Sequence, residues 1–281
     1  MNRPPAVRRV DCHVHLWELA RGDYDWMSPD LGAICRDFSL RDVEPLLQDC
    51  GVDQVVVVQA AATLAETRYL LALARSSPTI AGVVGWVDFE SPQSGEHLRE
   101  LCRDPGFKGV RPMIQFQADP RWLLRADVAG TWSAVAAANV PVDFLVAPEH
   151  LDPLSVLLDQ RPELVGVIDH AAKPQIARSE FQGWAKSMTR LARSTRVVCK
   201  LSGLATEAGP QWSVAALQPY VDLLLAEFGP SRLMFGSDWP VLNLAGDYVR
   251  WFDAANELLR ALSADQRAAI FGTNAVAFYR L

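Results

Sequence analysis

The chain has 281 residues, half of them hydrophobic, and a formal net charge of −6, with a pI near 5.4. That length and apolar content can bury a substantial core, as one large α/β domain or two smaller ones. The acidic balance argues against a nucleic-acid or anionic-membrane surface, and the apolar stretches fall far short of the roughly 20 residues a membrane helix needs.

Five cysteines (Cys12, Cys35, Cys50, Cys102 and Cys199) are scattered without a Cys-x-x-Cys pair. That reads as a reduced protein, not a disulfide framework or a zinc ribbon. Residues 1–10 carry three arginines with no apolar stretch behind them, so no secretory signal is expected and a soluble, cytoplasmic protein is.

The first predicted strand, residues 9–16, contains Asp11-Cys12-His13-Val14-His15. Alternation across a strand places Asp11, His13 and His15 on one side and Cys12, Val14 and Leu16 on the other. Three polar groups on one face suit metal binding, carbonyl polarisation or proton transfer. The bland alternative is a strand end whose histidines bond loop carbonyls. Residues 19–39, with Trp26, Met27 and Pro29, read as a long loop.

A second strand at 54–60 holds Val55-Val56-Val57-Val58, a run expected of a parallel strand covered on both faces. Thr63-x-x-Glu66 then matches a capping box ahead of a helix. Further strands are predicted at 80–87, 109–114, 141–146, 164–169, 197–201 and 232–236. Helical spacing recurs at 132–138, 154–158, 181–192, 214–228 and 248–259, and Gly229-Pro230 stops the fourth of these.

Eight strands with intervening helices are what a single (β/α)₈ TIM barrel over residues 1–281 requires. A doubly wound sheet is the alternative, but no Gly-x-Gly-x-x-Gly follows an early strand. Polar residues gather at strand C-terminal ends: His13 and His15; Gln59; Trp86 and Asp88; Arg111; His170 and Lys173; Lys200 and Ser202; Asp238. In a barrel those ends form the reaction face, where these positions would converge. His97 and His150 read as a surface residue and a residue at a helix start. Most of the nine tryptophans read as packing; Trp17, Trp26, Trp86 and Trp239 lie near strand ends, where indoles can stack on sugar C–H faces.

Asp-x-His-x-His after strand one, Ile168-Asp169-His170 after strand six and Phe235-Gly236-Ser237-Asp238-Trp239-Pro240 after strand eight resemble the amidohydrolase superfamily, in its lactonase branch. Tyr24-x-Trp26-Met27, Gly82-Val83-Val84-Gly85-Trp86-Val87-Asp88, Phe107-Lys108-Gly109-Val110-Arg111-Pro112 and the Asn274–Tyr279 end look most like L-fuconolactonase or L-rhamnonolactonase relatives. The resemblance covers nearly the whole chain. It implies a lactone hydrolase with Asp238 as general base and His13, His15 and His170 orienting water or donating to the developing oxyanion. Trp26, Gln59, Trp86, Arg111 and Lys173 are then the expected substrate-binding residues.

Metal-bearing relatives usually present a histidine at the end of strand five. Here that strand reads Val142-Asp143-Phe144-Leu145-Val146, with leucine in its place, and strand four supplies Arg111 rather than a bridging carboxylate or lysine. A binuclear centre is therefore not expected, and no metal is expected to be required. A single zinc on His13, His15 and Asp238 is the alternative, since three ligands plus water make a catalytic zinc site. Competing readings are a 2-pyrone-4,6-dicarboxylate lactonase, a zinc-dependent decarboxylase on the same barrel, and a non-catalytic sugar-binding barrel. The expected partner is a small lactone, with no nucleic acid or membrane; a homo-oligomer is compatible with the sequence.

Overall fold

A computed structural model of the protein describes residues 8–281; the start of the chain read above for a leader, residues 1–7, lies outside the described residues. Eight parallel strands form one sheet in sequential order: β1 (Val10–Val14), β2 (Gln54–Val58), β3 (Ile80–Gly85), β4 (Phe107–Val110), β5 (Val142–Phe144), β6 (Gly166–Ile168), β7 (Val198–Leu201) and β8 (Leu233–Phe235). Just past the last strand, the chain returns to the first: Val14 bridges Trp239 in parallel, Asp238 N–H donates to His13 O at 2.9 Å and His15 N–H to Trp239 O at 2.7 Å. The sheet is thereby a nearly closed (β/α)₈ TIM barrel.

The helices run α1 (Leu40–Cys50), α2 (Leu64–Ser76), α3 (Ser94–Leu101), α4 (Ala129–Ala137), α5 (Leu151–Gln160), α6 (Gln182–Ser194), α7 (Leu204–Ala208), α8 (Val214–Phe228), α9 (Tyr248–Leu258), α10 (Ala264–Ala268) and α11 (Asn274–Tyr279). No helix among the described residues is long and apolar enough to cross a membrane. Two hydrophobic layers result. The inner one fills the barrel with Cys12, Val56, Val58, Val84, Val167 and Met234, closed below by Tyr279 of α11. The outer one packs the other strand faces against the helices.

Three local expectations need correction. Residue alternation along β1 is broken by a register shift between Asp11 and Val14. Asp11 consequently meets Tyr248 of α9 in the outer layer, its Oδ2 accepting from Tyr248 OH at 2.9 Å, while His13 faces the barrel interior. Glu66 does not complete a capping box: Thr63 accepts from Glu66 N–H at 3.0 Å, but the Glu66 carboxylate turns to Ala60 N–H and Ala61 N–H at 2.8–3.0 Å. β4 starts two residues earlier than expected and ends before Arg111-Pro112, as a proline has no N–H for the ladder.

Candidate active site

The C-terminal ends of β1, β6 and β8 deliver His13, His15, His170 and Asp238 to one place. Asp238 Oδ1 lies 3.4 Å from His15 Nε2, 3.7 Å from His13 Nε2 and 3.8 Å from His170 Nε2, and the two strand-one imidazoles touch, Nε2 to Nε2, at 3.2 Å. Each member is held from behind. His15 Nδ1 contacts Val58 O at 2.7 Å and His170 Nδ1 contacts Ser202 Oγ at 2.9 Å. Asp238 sits at a positive φ of 60°.

The backbone after β6 is unusual. His170, Ala171, Ala172 and Lys173 all have φ between 50° and 59°, making a left-handed turn closed by Lys173 N–H to His170 O at 2.8 Å. Such a conformation costs roughly 1–2 kcal/mol per non-glycine residue and is sustained by surrounding contacts, including Trp184 Nε1 donating to Ala171 O at 2.7 Å. Its effect is to bring both His170 and Lys173 to the wall of one cavity.

That cavity, of about 200 Å³, is lined by His15, His170, Asp238, Arg111, Lys173 and Gln115, with an apolar side of Trp17, Trp26, Ala60, Met113, Phe116, Leu145 and Val241. Trp26 is anchored by Nε1 donating to Ala60 O at 2.8 Å. Gln59 lies beneath the floor, where its Nε2 donates to Arg111 O at 3.0 Å and its own carbonyl accepts from Arg111 Nη2. Trp86 is not among the lining residues; its N–H donates to Thr67 Oγ1 at 2.9 Å. Trp239 is buried edge-on against Phe38, ring centroids 5.1 Å apart.

Burial sets the protonation states. It lowers the His170 ring to about 4 and holds His13 well below the ordinary imidazole value, with the Lys200 ammonium adding to the effect on His13. For Asp238, burial pushes upward, but the surrounding imidazoles outweigh it and keep the carboxyl below the ordinary carboxylate range. Near neutrality the site therefore presents one carboxylate beside neutral His13 and His170 rings. Such a group can take a proton from water while its neighbours offer ring N–H and lone pairs.

Residues 10–281 match the amidohydrolase family model. The chain belongs to the amidohydrolase family. Over 277 residues it is 44% identical to L-fucono-1,5-lactonase of Burkholderia ambifaria, covering 97% of this chain and 96% of that protein. An L-fucono-1,5-lactonase of Burkholderia multivorans is 34% identical over 291 residues, again with 97% and 96% coverage. Crystal structures of a Burkholderia multivorans amidohydrolase, one with bound HEPES and one with bound zinc, match at TM-scores of 0.92 with 34% and 35% identity, covering 98% of this chain and 99% of theirs. The resemblance read from the motifs thus holds at the level of family, and the protein is an enzyme of that family.

In this amidohydrolase, the spacing of His13, His15 and Asp238 fits a metal ion. A tetrahedral zinc about 2.0–2.1 Å from each donor sets its ligands about 3.3–3.4 Å apart, against the 3.2, 3.4 and 3.7 Å found. His13, Asp169 and His170 form a second buried group of candidate ligands.

Sequence reasoning missed what lies underneath. Lys200, placed by the sequence among the strand-end polar residues, is buried within the barrel with Asp143 Oδ2 at 2.5 Å and Asp169 Oδ1 at 3.0 Å. Asp143 also accepts from Tyr279 OH at 2.9 Å, and Asp169 Oδ2 lies 3.7 Å from Arg111 Nη1. The available signal was an acid at the centre of an apolar strand, Val142-Asp143-Phe144. Lys173 is paired at the rim with Glu207 of α7 at 3.5 Å.

Proposed function

We propose that this enzyme opens a sugar-acid lactone, an aldonolactone such as L-fuconolactone or L-rhamnonolactone, by general-base hydrolysis with no required metal. The observation that carries the reading is the meeting of Asp238 Oδ1 with three imidazole Nε2 atoms, those of His15 and His170 on the wall of one cavity and that of His13 fully buried beside them. Water held between Asp238 and His15 attacks the lactone carbonyl carbon while Asp238 takes its proton. The oxyanion that develops is met by donors from His170 and Arg111. Its collapse breaks the ring C–O bond, and the proton returns from Asp238 to the departing ring oxygen, giving the hydroxy acid. A carboxylate held so low is a weak base, so positioning and oxyanion donors supply the larger share of the rate.

The substrate class follows from the lining. Trp17, Trp26 and Phe116 offer faces to sugar C–H surfaces, while the basic groups are only Arg111 and Lys173, the latter already paired with Glu207. A dicarboxylate would call for several convergent guanidiniums, so a neutral polyol fits better than 2-pyrone-4,6-dicarboxylate. Were zinc bound by His13, His15 and Asp238, it would acidify a coordinated water and polarise the carbonyl.

The test is a proton-release screen over a panel of aldonolactones with the pyrone dicarboxylate included. Turnover of a deoxy-sugar lactone is expected. Turnover of the pyrone alone would overturn the substrate class, and no turnover of any lactone would overturn the reaction.

A further inference from the structure

The Lys200 ammonium is within hydrogen-bond reach of Asp143 Oδ2 at 2.5 Å and His13 Nδ1 at 3.0 Å, and forms an ion pair with Asp169 Oδ1 at 3.0 Å. An ammonium has three donors and no lone pair. Its contact with His13 is attractive only if Nδ1 carries the lone pair. The competing partner of Nδ1 is Asp169 Oδ1, which at 3.5 Å is beyond good hydrogen-bond distance. A neutral imidazole has one N–H, so the His13 proton belongs on Nε2. His15 is fixed the other way: its Nδ1 faces the Val58 carbonyl at 2.7 Å, a pure acceptor, so the Nδ1 carries a proton and the neutral ring leaves Nε2 bare. The 3.2 Å contact between the two Nε2 atoms is then a hydrogen bond from His13 to His15.

The geometry points to Lys200 as a positioning residue that locks His13 in the Nε2–H tautomer and, by the same contact, keeps zinc affinity at His13, His15 and Asp238 low. Zinc needs a bare Nε2 on both histidines. To supply it, His13 would have to move its proton to Nδ1, against an ammonium at 3.0 Å. Asp143 and Asp169 hold that ammonium in place, and Tyr279 holds Asp143 from the barrel floor. The locked tautomer also lets His13, through that Nε2–H, hold the His15 ring beside Asp238, where the reacting water would be activated. Only this last consequence rests on the proposed hydrolysis.

The direct test needs no substitution. Metal-free protein labelled with ¹⁵N-histidine has five imidazoles, and long-range ¹H–¹⁵N correlation reads the protonated nitrogen of each; His13 is assigned by its loss in His13→Gln. A proton on Nε2 and a bare Nδ1 are expected. A proton on Nδ1, or on both nitrogens, overturns the proposal. The metal arm uses chelator competition with zinc on a charge-balanced double variant, Lys200→Met with Asp143→Asn, which removes one cation and one anion together. Zinc affinity should rise about 10- to 100-fold, the usual scale for partners of metal-bound histidines. Unchanged affinity in a folded double variant breaks the link to zinc, and if that variant does not fold the wild-type spectrum still decides the tautomer. A failed lactone screen with an Nε2–H spectrum would fault the proposed reaction and leave this inference standing.

Discussion

Replacing Gly203 with alanine asks whether the His170 ring must sit where the fold puts it. Gly203, between β7 and α7, has φ of +69°, and a Cβ there would lie 2.6 Å from His170 Cβ and 2.8 Å from its Cγ. Relief to an ordinary 3.4 Å contact requires a movement of about 0.8 Å. The ring cannot give way freely, because Nδ1 is bonded to Ser202 and its backbone belongs to the left-handed turn. Left-handed strain and overpacking together should cost about 2–4 kcal/mol of stability. A displacement of that size should cost roughly 10²-fold in kcat/KM, as 1 Å misplacements do. Gly209, at the other end of α7, has φ of +81° and ψ of 175°, a conformation essentially confined to glycine, with nothing within 4 Å of a Cβ, so Gly209→Ala should lose about 1–3 kcal/mol and keep its rate. Denaturant unfolding and steady-state lactone hydrolysis on both variants give the comparison. If Gly203→Ala matches Gly209→Ala in rate and stability, the placement of His170, or its part in the reaction, is wrong.

Other outcomes follow from the same geometry. Asp238→Asn should lower turnover by at least about 10²-fold, the lower bound for a lost general base, with unchanged far-UV circular dichroism; retained turnover would remove this residue from the mechanism. Because burial holds His170 near 4, kcat/KM should stay level between pH 7 and 5 and fall as pH drops through about 4. The same ring is protonated more readily unfolded than folded, so its contribution to stability is complete above pH ~6.5 and is lost between there and pH ~4; unfolding free energies measured across that window check the sign. Phe116, 62% exposed on the cavity rim, contributes little to stability; Phe116→Ala should raise KM up to about tenfold, one unit of 1.4 kcal/mol of lost apolar contact, and leave the unfolding midpoint within a degree or two. Dialysis against chelator should leave most lactonase activity, and loss restored by zinc would give the metal a required role.

The barrel was legible because its strands are short, β-branched and buried on both faces, so a run such as Val55-Val56-Val57-Val58 announces itself. The mouth was legible for a related reason: polar residues that break such runs fall at the C-terminal end of every strand but the fifth. His13, His15, His170 and Asp238 were found in this way. Helices α1 and α3 were not set out as elements; each buries only a narrow stripe, Val43, Leu47 and Cys50 in α1 and Ser94, Leu98 and Leu101 in α3, and α1 carries Pro45 within it. The ion network beneath the pocket was invisible for a physical reason. Lys200, Asp143 and Asp169 come from three different strands, and no local pattern tells which charged side chains of separate strands meet inside a barrel. Asp11 shows the converse failure, since strict alternation put it beside His13 and one irregularity in β1 turned it outward.

The Tyr279 hydroxyl ties the final turn of the chain to the charge balance under the catalytic mouth. Cutting the polypeptide just ahead of it would strip Asp143 of a donor and open the barrel's base to solvent, weakening Lys200's grip. Damage dealt at the carboxyl end would then surface, relayed through Asp143 and Lys200, as altered behaviour of an imidazole that the lost residues never touch.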